Sequence, residues 1–488
     1  MRPYLCEDMA SSTFIANETA FVALNKFSAR RSGQPVLTDI TYRLCQGECW
    51  AVVGPTGSGK TTFLQALAGQ FPASPGSVYR RVPAEFVSFK EESSRFTYSG
   101  YFYQQRYQAT MSDKPEGEDP AYHSIPTVRN FLQYAESPEN EALIGRLGLE
   151  PLLDRSFLKL SNGQTRKARI GKALLRHPTA LLLDNPFVGL DKTFRAELTN
   201  WLGELVAHGL TLVLVTEPDA IPSFTTHVLS LNKGSLQWQG TREKYVPEQS
   251  NEIAPDLPVL QTQPQAVDFA EAFRLQNVTV RYGDTVILDT INWAILASER
   301  WALSGPNGAG KSVLLSLLYG DHPQAYANDV RVFGYRRGKA GESIWDVKRR
   351  IGFVSPELHL YFPPHLSVRQ VALTGMTDTL TPPRRVSPET ETDLNQLLTY
   401  FGLTETTNRS FGTLSAGEQR LVLLVRALLK NSPVLLLDEP FQVIDKHHVE
   451  LARQLIASLP GKTILFVTHD PRELPNTIDR MFELTTNP

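Results

Sequence analysis

Short apolar runs alternate with longer segments whose apolar residues recur at helical spacing, and this order occurs twice along the chain. The predicted strands are residues 50–53, 211–215, 301–303 and 463–467. The predicted helices are residues 61–67, 165–175, 312–318 and 419–429. Strands that alternate with helices are typical of a mostly parallel sheet with helices on its faces. We therefore expect an α/β fold in each half of the chain.

The two halves also share one set of motifs in one order. A glycine-rich run at 54–61 corresponds to 305–312, Leu-Ser-Asn-Gly-Gln at 160–164 to Leu-Ser-Ala-Gly-Glu at 414–418, and Leu-Leu-Leu-Asp at 181–184 to 435–438. A repeat of this length is far longer than a solenoid unit, so each copy should have its own core. We predict a first domain at residues 1–240, a linker at 241–271 and a second domain at 272–488.

The predicted linker is rich in proline and acidic side chains. It contains four prolines, and its six acidic residues stand against Arg242 and Lys244. This composition favours an extended connection over a packed element. Two further irregular stretches are expected, an exposed loop at 112–126 in the first domain and its counterpart at 377–388 in the second.

Charge and hydropathy narrow the class of protein. The formal net charge is -2, which gives no bulk electrostatic reason to expect nucleic-acid binding. No stretch approaches the roughly 20 apolar residues that span a bilayer. The beginning of the sequence carries Glu7 and Asp8 and does not predict a secretory signal. We therefore expect a cytoplasmic protein, peripheral to the inner face of the plasma membrane when in a complex.

Cysteine usage agrees with a reducing compartment. The chain has three cysteines, and Cys45 and Cys49 lie four positions apart, a spacing that invites interpretation as a metal site. Because there is no second cysteine pair and no nearby histidine, buried free thiols are the favoured interpretation.

Each copy carries Gly-x4-Gly-Lys-Ser/Thr between a strand and a helix, which is the phosphate-binding P-loop. The glycines let backbone N–H groups surround phosphates beside a helix N-terminus. Lys60 and Lys311 should reach the β- and γ-phosphates of ATP, while the Thr61 and Ser312 hydroxyls hold Mg²⁺. The nucleotide-binding residues assigned here are Gly54, Gly57, Gly59, Lys60, Thr61, Thr62, Gly305, Asn307, Gly308, Gly310, Lys311, Ser312 and Val313.

Two further motifs follow each P-loop. Asp184 and Asp438 each end an apolar run and are the carboxylates expected beside Mg²⁺. A buried strand that merely ends in a turn would explain either run alone, but it fits poorly when both runs follow a P-loop at matching distances. The Leu-Ser-x-Gly-Gln/Glu motif stands just before a predicted helix, where a serine hydroxyl and glycine N–H groups suit a γ-phosphate.

With these motifs, the chain resembles the nucleotide-binding domains of ATP-binding-cassette proteins over nearly all its length outside the linker. The resemblance implies two P-loop NTPase domains in tandem, each with a mostly parallel sheet core and an α-helical signature subdomain. It also implies head-to-tail pairing, within one chain or between two, that sandwiches two ATP molecules. Ser161 and Gly163 would then complete the site of Lys311, and Ser415 and Gly417 would complete the site of Lys60.

The same resemblance assigns catalytic roles in the second domain. Glu439 takes the position of the residue that polarises the attacking water, His469 contacts the γ-phosphate, and Tyr282 stacks on adenine. The first domain has Asn185, Glu217 and Arg31 at these positions. An amide can orient water but cannot be a general base. Glu217 would face a polyanion, at a cost of about 4 kcal/mol per charge pair at ~4 Å.

We therefore expect unequal sites, with most hydrolysis at the second domain. The alternative is that both substitutions are neutral changes at a first site that still turns over. In the loop that senses Mg²⁺ in the family, it is the second domain that departs from the family pattern. The first domain carries Gln104 there, whereas the second has Pro356, with Glu357 as the candidate substitute.

Runs at 319–324 and 341–355 further resemble tandem molybdenum-transport ATP-binding proteins, also called photorepair proteins. The leading hypothesis is an ATP hydrolase with Mg²⁺ that energises transport through membrane permease subunits on other chains. The alternative is a soluble ATPase linked to translation or DNA, or a regulatory ATP sensor. Related translation factors join their domains by a basic helical linker, so the acidic linker here disfavours RNA binding.

Overall fold

The computed structural model describes residues 20–31, 33–72, 77–89, 127–155, 157, 160, 162–188, 190, 192–247, 255–282, 285–306, 308–339, 343–356 and 358–485. The chain forms two compact units that divide between Gln249 and Ser250. Each copy of the repeated motifs therefore lies in its own unit, and the predicted exposed loop at 112–126 lies outside the described residues.

The described part of the first unit has two sheets. Its strands are β1 (Ala20–Arg31), β2 (Gln34–Cys45), β3 (Cys49–Val53), β4 (Val78–Arg80), β5 (Ala84–Ser88), β6 (Ala180–Asp184), β7 (Thr211–Val215), β8 (His227–Asn232) and β9 (Ser235–Thr241). An antiparallel sheet has the order β2-β1-β4, and a larger sheet has the order β5-β6-β7-β3-β8-β9. The larger sheet is parallel except for the β8–β9 pair. This arrangement confirms the expected mostly parallel core.

Helices cover the larger sheet of the first unit. They are α1 (Lys60–Leu67), α2 (Val128–Leu132), α3 (Pro138–Arg146), α4 (Asn162–Leu174) and α5 (Lys192–Ala207). All five residues of β3, β6 and β7 are buried, which explains their unbroken apolar sequences. One core lies between α1 and the two sheets, and a second core lies against α4 and α5.

The second unit repeats this plan. Its strands are β10 (Glu271–Tyr282), β11 (Thr285–Leu296), β12 (Arg300–Ser304), β13 (Asp329–Val332), β14 (Tyr335–Arg336), β15 (Ile351–Val354), β16 (Val434–Asp438), β17 (Thr463–Val467) and β18 (Arg480–Glu483). The antiparallel sheet has the order β11-β10-β13-β14, and the parallel sheet has the order β15-β16-β17-β12-β18.

Helices of the second unit include a helical arm between β15 and β16, which confirms the expected signature subdomain. The helices are α6 (Lys311–Tyr319), α7 (Ile344–Arg349), α8 (Val368–Leu373), α9 (Pro388–Tyr400), α10 (Ala416–Leu429) and α11 (Lys446–Ser458). The arm contains α8, α9 and α10, whose apolar faces form one core with β15, β16 and β17. A separate core joins α6 to both sheets.

The helix that follows the second signature begins earlier than the sequence predicts. Ser415 is its N-cap, and the Ser415 hydroxyl accepts from the N–H of Glu418 at 3.2 Å. The Glu418 carboxylate accepts in turn from the N–H of Ser415 at 2.7 Å, which completes a capping box. Gly417 therefore lies inside the first helical turn rather than before the helix.

Residues 377–387 are irregular, as predicted for their segment, but one of their side chains is buried. Asp378 forms an ion pair with Lys430 at the end of α10, and both side chains are at most 4% exposed. Lys430 also donates to the carbonyls of Lys348 and Ile351. The ion pair therefore fastens this loop to the end of the signature helix. Cys45 and Cys49 are buried and free, as expected.

Part of the linker is fastened to the second unit. Residues 260–265 form a segment that we name the linker strap. Asp393 on α9 is fully buried and accepts from the N–H of Gln261 at 2.6 Å and the N–H of Thr262 at 2.9 Å. It also accepts from the Thr262 hydroxyl at 2.5 Å, while Asn431 donates to the Thr262 carbonyl at 2.7 Å. The strap is extended but anchored along its length.

Asp393→Ala should release the linker strap, because it removes the acceptor of three hydrogen bonds at once. Hydrogen bonds to charged groups contribute about 1.5–3 kcal/mol each, and water would compensate part of this loss at the exposed strap. We expect a lower denaturation midpoint of the second unit and faster protease cleavage near Thr262. Glu405→Ala, at an exposed carboxylate of the same unit, is the control. Equal cleavage rates for Asp393→Ala and the unchanged chain would refute the anchoring role.

Candidate functional site

Both P-loops have a backbone that other residues could not adopt. Gly54 and Gly305 each have φ of +144°, and a Cβ at these positions would lie 2.1 Å from the carbonyl oxygen of Leu231 and 2.4 Å from that of Leu484. The residues before α1 and α6, Gly59 and Gly310, are left-handed at φ +97° and +90°. The glycines therefore allow close backbone packing as well as the turn.

The lysine of each P-loop folds over its own loop. The Lys60 ammonium donates to the carbonyls of Gly54 at 2.5 Å and Pro55 at 2.8 Å. The Lys311 ammonium makes the equivalent bonds to Gly305 at 2.6 Å and Pro306 at 3.0 Å. Both positive charges consequently lie at the concave face of the loop, where the backbone would surround phosphate.

A hydroxyl and an aspartate meet beside each P-loop. The Thr61 hydroxyl donates to Asp184 at 2.9 Å, and the Ser312 hydroxyl donates to Asp438 at 3.4 Å. Burial, together with the smaller effect of the neighbouring Glu439 charge, raises the pKa of Asp438 to about 7. A buried carboxylate beside a hydroxyl fits Mg²⁺, which binds nucleotides through one or two protein oxygens plus phosphates. Within the described residues, no group of three or more His, Cys, Asp or Glu forms a metal cage.

In the second unit, the two predicted catalytic side chains contact each other. The Nδ1 atom of His469 lies 2.9 Å from the Oε2 atom of Glu439, and this hydrogen bond raises the pKa of His469. Glu439 directly follows β16 and has a left-handed backbone with φ of 45°. For a residue with a Cβ, this conformation costs about 1–2 kcal/mol. The strain turns the carboxylate towards the end of β17, where His469 lies.

In the first unit, the amide at the equivalent position makes a different contact. Asn185 has the same left-handed backbone, with φ of 55°, which asparagine adopts more readily than glutamate. Its side-chain amide donates to Asp184 at 3.2 Å. Glu217 follows β7 and is half-buried. The residue directly after β6 is therefore an amide, whereas the residue directly after β16 is a carboxylate.

Most of the remaining predicted site residues lie in described elements of the two units. Ser415 and Gly417 form the first turn of α10, Gly163 lies in the first turn of α4, and Thr62 and Val313 follow the loop residues in α1 and α6. Tyr282 is the last residue of β10. Gln104, Ser161, Asn307 and Glu357 lie outside the described residues. Gly57 and Gly308 are left-handed P-loop residues.

Sequence reasoning missed two arginines at equivalent positions after the signatures. Arg166 on α4 donates to the carbonyls of Asn185 at 3.1 Å and Pro186 at 3.2 Å. Arg420 on α10 donates instead to the carbonyls of Ser355 and Pro356. The signal that could have found both is the repeat itself, since each arginine stands three residues after the signature glycine.

Two P-loops, each beside a strand that ends in aspartate, define a tandem P-loop nucleotide-binding protein. The profile of the ABC transporter family matches residues 37–188 and 288–442, and the chain belongs to this family of ATP hydrolases. It is 35% identical to the ABC transporter ATP-binding protein ModF of Escherichia coli over 470 residues, which covers 90% of this chain and 91% of ModF.

Two further comparisons agree. An uncharacterized ABC transporter ATP-binding protein of Schizosaccharomyces pombe is 32% identical over 463 residues, covering 91% of this chain and 94% of that protein. Among solved structures, an archaeal ribosome recycling factor in complex with a ribosomal stalk protein has a TM-score of 0.54 at 18% identity, covering 94% of this chain and 87% of that one. This last likeness concerns the fold alone.

Glu439→Gln should lower the pKa of His469, because the amide removes the negative charge that stabilises the imidazolium. The raised pKa means that the pair stabilises the folded unit fully below pH 6.5, and that this contribution is lost as pH rises through the pKa of His469. Histidine NMR titration measures the shift. Glu271→Gln, which alters an ion pair in the antiparallel sheet, is the control. An unchanged His469 titration in Glu439→Gln would contradict the contact.

Proposed function

We propose that the second unit hydrolyses ATP and that the first unit mainly binds it. The observation that carries this proposal is the contrast between two equivalent positions. In the second unit, Glu439 and His469 form a carboxylate–imidazole pair at 2.9 Å. In the first unit, Asn185 instead donates to Asp184. The Glu439 carboxylate can accept a proton, whereas the Asn185 amide cannot.

In the second unit, the proposed chemistry is attack of water on the γ-phosphorus of ATP. The Glu439 carboxylate accepts a proton from this water as the bond to phosphorus forms and the bond to the leaving ADP oxygen breaks. His469 holds the carboxylate in place through its hydrogen bond and contacts the γ-phosphate. Lys311 offsets charge on the β- and γ-phosphates.

Mg²⁺ would be held by Ser312 and Asp438 in the second unit and by Thr61 and Asp184 in the first, where it would stabilise negative charge on the phosphate oxygens. The residues of the first unit retain these oxygens and Lys60. That unit thus retains groups that can bind Mg²⁺ and ATP, but Asn185 cannot accept a proton, and Glu217 and Arg31 stand where the second unit has His469 and Tyr282. Slow turnover there is compatible with catalysis by positioning and charge alone.

We further propose that the signature of each unit completes the site of the other. Ser161 and Gly163 would serve the site of Lys311, while Ser415 and Gly417 would serve the site of Lys60. The capped first turn of α10 supports this role, because a helix N-terminus directs N–H groups and a positive dipole end towards an anion. ATP at the slow site would then favour the closed arrangement for longer than ATP at the fast site.

Glu439→Gln should abolish most hydrolysis, whereas Asn185→Gln should reduce it less than twofold. Loss of a general base costs about 10²–10⁴-fold, while the first unit has no such base to lose. Single-turnover hydrolysis of ATP with Mg²⁺ measures both variants of the full chain. Thermal denaturation should accompany the measurement, since glutamine tolerates the left-handed backbone at position 185 less well than asparagine. If Glu439→Gln retains half or more of the rate, the assignment of roles is wrong.

We propose that this hydrolysis energises transport through membrane subunits on other chains. Support comes from the relatives named ABC transporter ATP-binding proteins, two of which cover most of this chain at 32% and 35% identity. Of the helices in the described part of the chain, none has both the length and the apolar character to cross a bilayer. The runs at 319–324 and 341–355 make molybdate the first solute to test.

Affinity capture of the tagged chain from its native cell should recover membrane-spanning subunits. Membrane-bound chain should be released by high salt or alkaline washing, because a peripheral contact depends on polar surface interactions. A chain with both the Lys60→Ala and Lys311→Ala changes tests whether capture depends on nucleotide, because each change removes the P-loop lysine expected to contact the phosphates. Recovery of ribosomes or nucleic acid without membrane subunits would favour the alternative, a soluble ATPase linked to translation or DNA. Recovery of neither, with hydrolysis intact, would favour a regulatory ATPase.

A further inference from the structure

Arg420 joins three segments of the second unit. It lies in the first turn of α10 and is 4% exposed. Its Nη1 donates to the Ser355 carbonyl at 2.5 Å, and its Nη2 donates to the Pro356 carbonyl at 3.0 Å. Nη2 also lies 3.5 Å from Oε1 of Gln442, in the segment after β16. One guanidinium thus links the signature helix, the turn after β15 and the segment that begins with Glu439.

The bond to Pro356 falls where the second unit departs from its family. Proline has no N–H group and no side-chain donor, so residue 356 can accept a hydrogen bond at its carbonyl but cannot donate one. Two consecutive carbonyls facing one guanidinium provide a different attachment, because the planar fork donates in two fixed directions. A lysine ammonium at the same position would reach one carbonyl from one point and would not reproduce the fork.

The guanidinium also acts on the aspartate of the same site. Its positive charge interacts favourably with the Asp438 carboxylate at the end of β16. Arg420 therefore places charge at the edge of the site while it holds the turn after β15. The Arg420 side chain therefore connects the beginning of the signature helix to the end of β16.

The first unit provides a natural comparison. Arg166 occupies the equivalent place in the repeat, but it donates to the carbonyls of Asn185 and Pro186, and its guanidinium lies 4.8 Å from the ring centroid of Phe89. Both arginines therefore contact residues after the strand that pairs with the aspartate strand, Phe89 after β5 and Pro356 after β15, but Arg420 donates to two consecutive carbonyls there.

We infer that Arg420 is a positioning residue for hydrolysis in the second unit. It holds the turn after β15 and the segment after β16 in fixed register with the signature helix, so that Asp438 and Glu439 keep their places during the reaction. The inference rests on the proposed function, in which the second unit carries most of the turnover. Because Arg420 bonds to protein carbonyls, its loss should affect kcat far more than the KM for ATP.

The test compares Arg420→Lys and Arg420→Ala with Arg369→Lys in the full chain, using steady-state hydrolysis of ATP with Mg²⁺. Arg369 on α8 is the matched control, because its guanidinium donates through two nitrogens to Glu391 outside the candidate site. Arg420→Lys should lower kcat about tenfold or more with KM changed less than threefold, and Arg369→Lys should lower kcat less than twofold. Guanidinium ion at low millimolar concentration should restore part of the activity of Arg420→Ala, whose cavity admits it, but not that of Arg420→Lys. Thermal denaturation of each variant identifies loss of folded protein.

Several outcomes overturn the inference. These are an unchanged kcat in Arg420→Lys, an equal loss in Arg369→Lys, or a loss of activity that follows only the unfolded fraction without guanidinium rescue. A parallel measurement of Glu439→Gln distinguishes failure of this inference from failure of the proposed function. If Glu439→Gln loses activity and Arg420→Lys keeps it, only the role of Arg420 fails. If Glu439→Gln keeps its activity, the assignment of hydrolysis to the second unit fails first.

Discussion

A buried carboxylate constrains the arrangement of the second unit. Asp438 is 4% exposed at the end of β16, and removal of a charged carboxylate from water costs several kcal/mol. The adjacent Glu439 adds like-charge repulsion, while Lys311, Arg420 and the Ser312 hydroxyl act in the opposite direction. The P-loop, the signature helix and β16 therefore depend on the same charge. Movement of any of them changes the electrostatic balance at the others.

In the first unit, the residue that directly follows the buried aspartate is an amide. Asn185 contributes no charge and donates to Asp184, so the repulsion that Glu439 exerts on Asp438 has no counterpart at position 185. The position equivalent to His469 also differs, since the first unit has Glu217 there. In the second unit, His469 has Glu439 as its hydrogen-bond partner, and without that carboxylate an imidazole loses the contact that orients it. Asn185 and Glu217 thus occupy the two positions whose side chains are hydrogen-bonded to each other in the second unit.

Periodicity and motif spacing predict much of the secondary structure of this protein. Strands β7 and β17 match their predicted residues because their apolar runs are unbroken and fully buried. Helix α10 begins before residue 419 because the capping box of Ser415 and Glu418 extends it, a pattern that the signature motif obscured. The left-handed backbone of Glu439 has no sequence signal of its own. The bonds from Asp393 to the linker join residues 131 and 132 positions apart, and no local pattern reports such pairs.

The linker strap changes the tether that joins the two halves of the chain. Fastening at Thr262 moves the attachment point of the second unit upstream from Glu271, the first residue of β10. At roughly 3.3–3.6 Å per extended residue, this withdraws about 30 Å of reach. A shorter tether raises the effective concentration of one module near its covalent partner, provided that its length still spans the required distance. The hydrogen bonds of one buried aspartate can thereby bias association within a chain over association between chains.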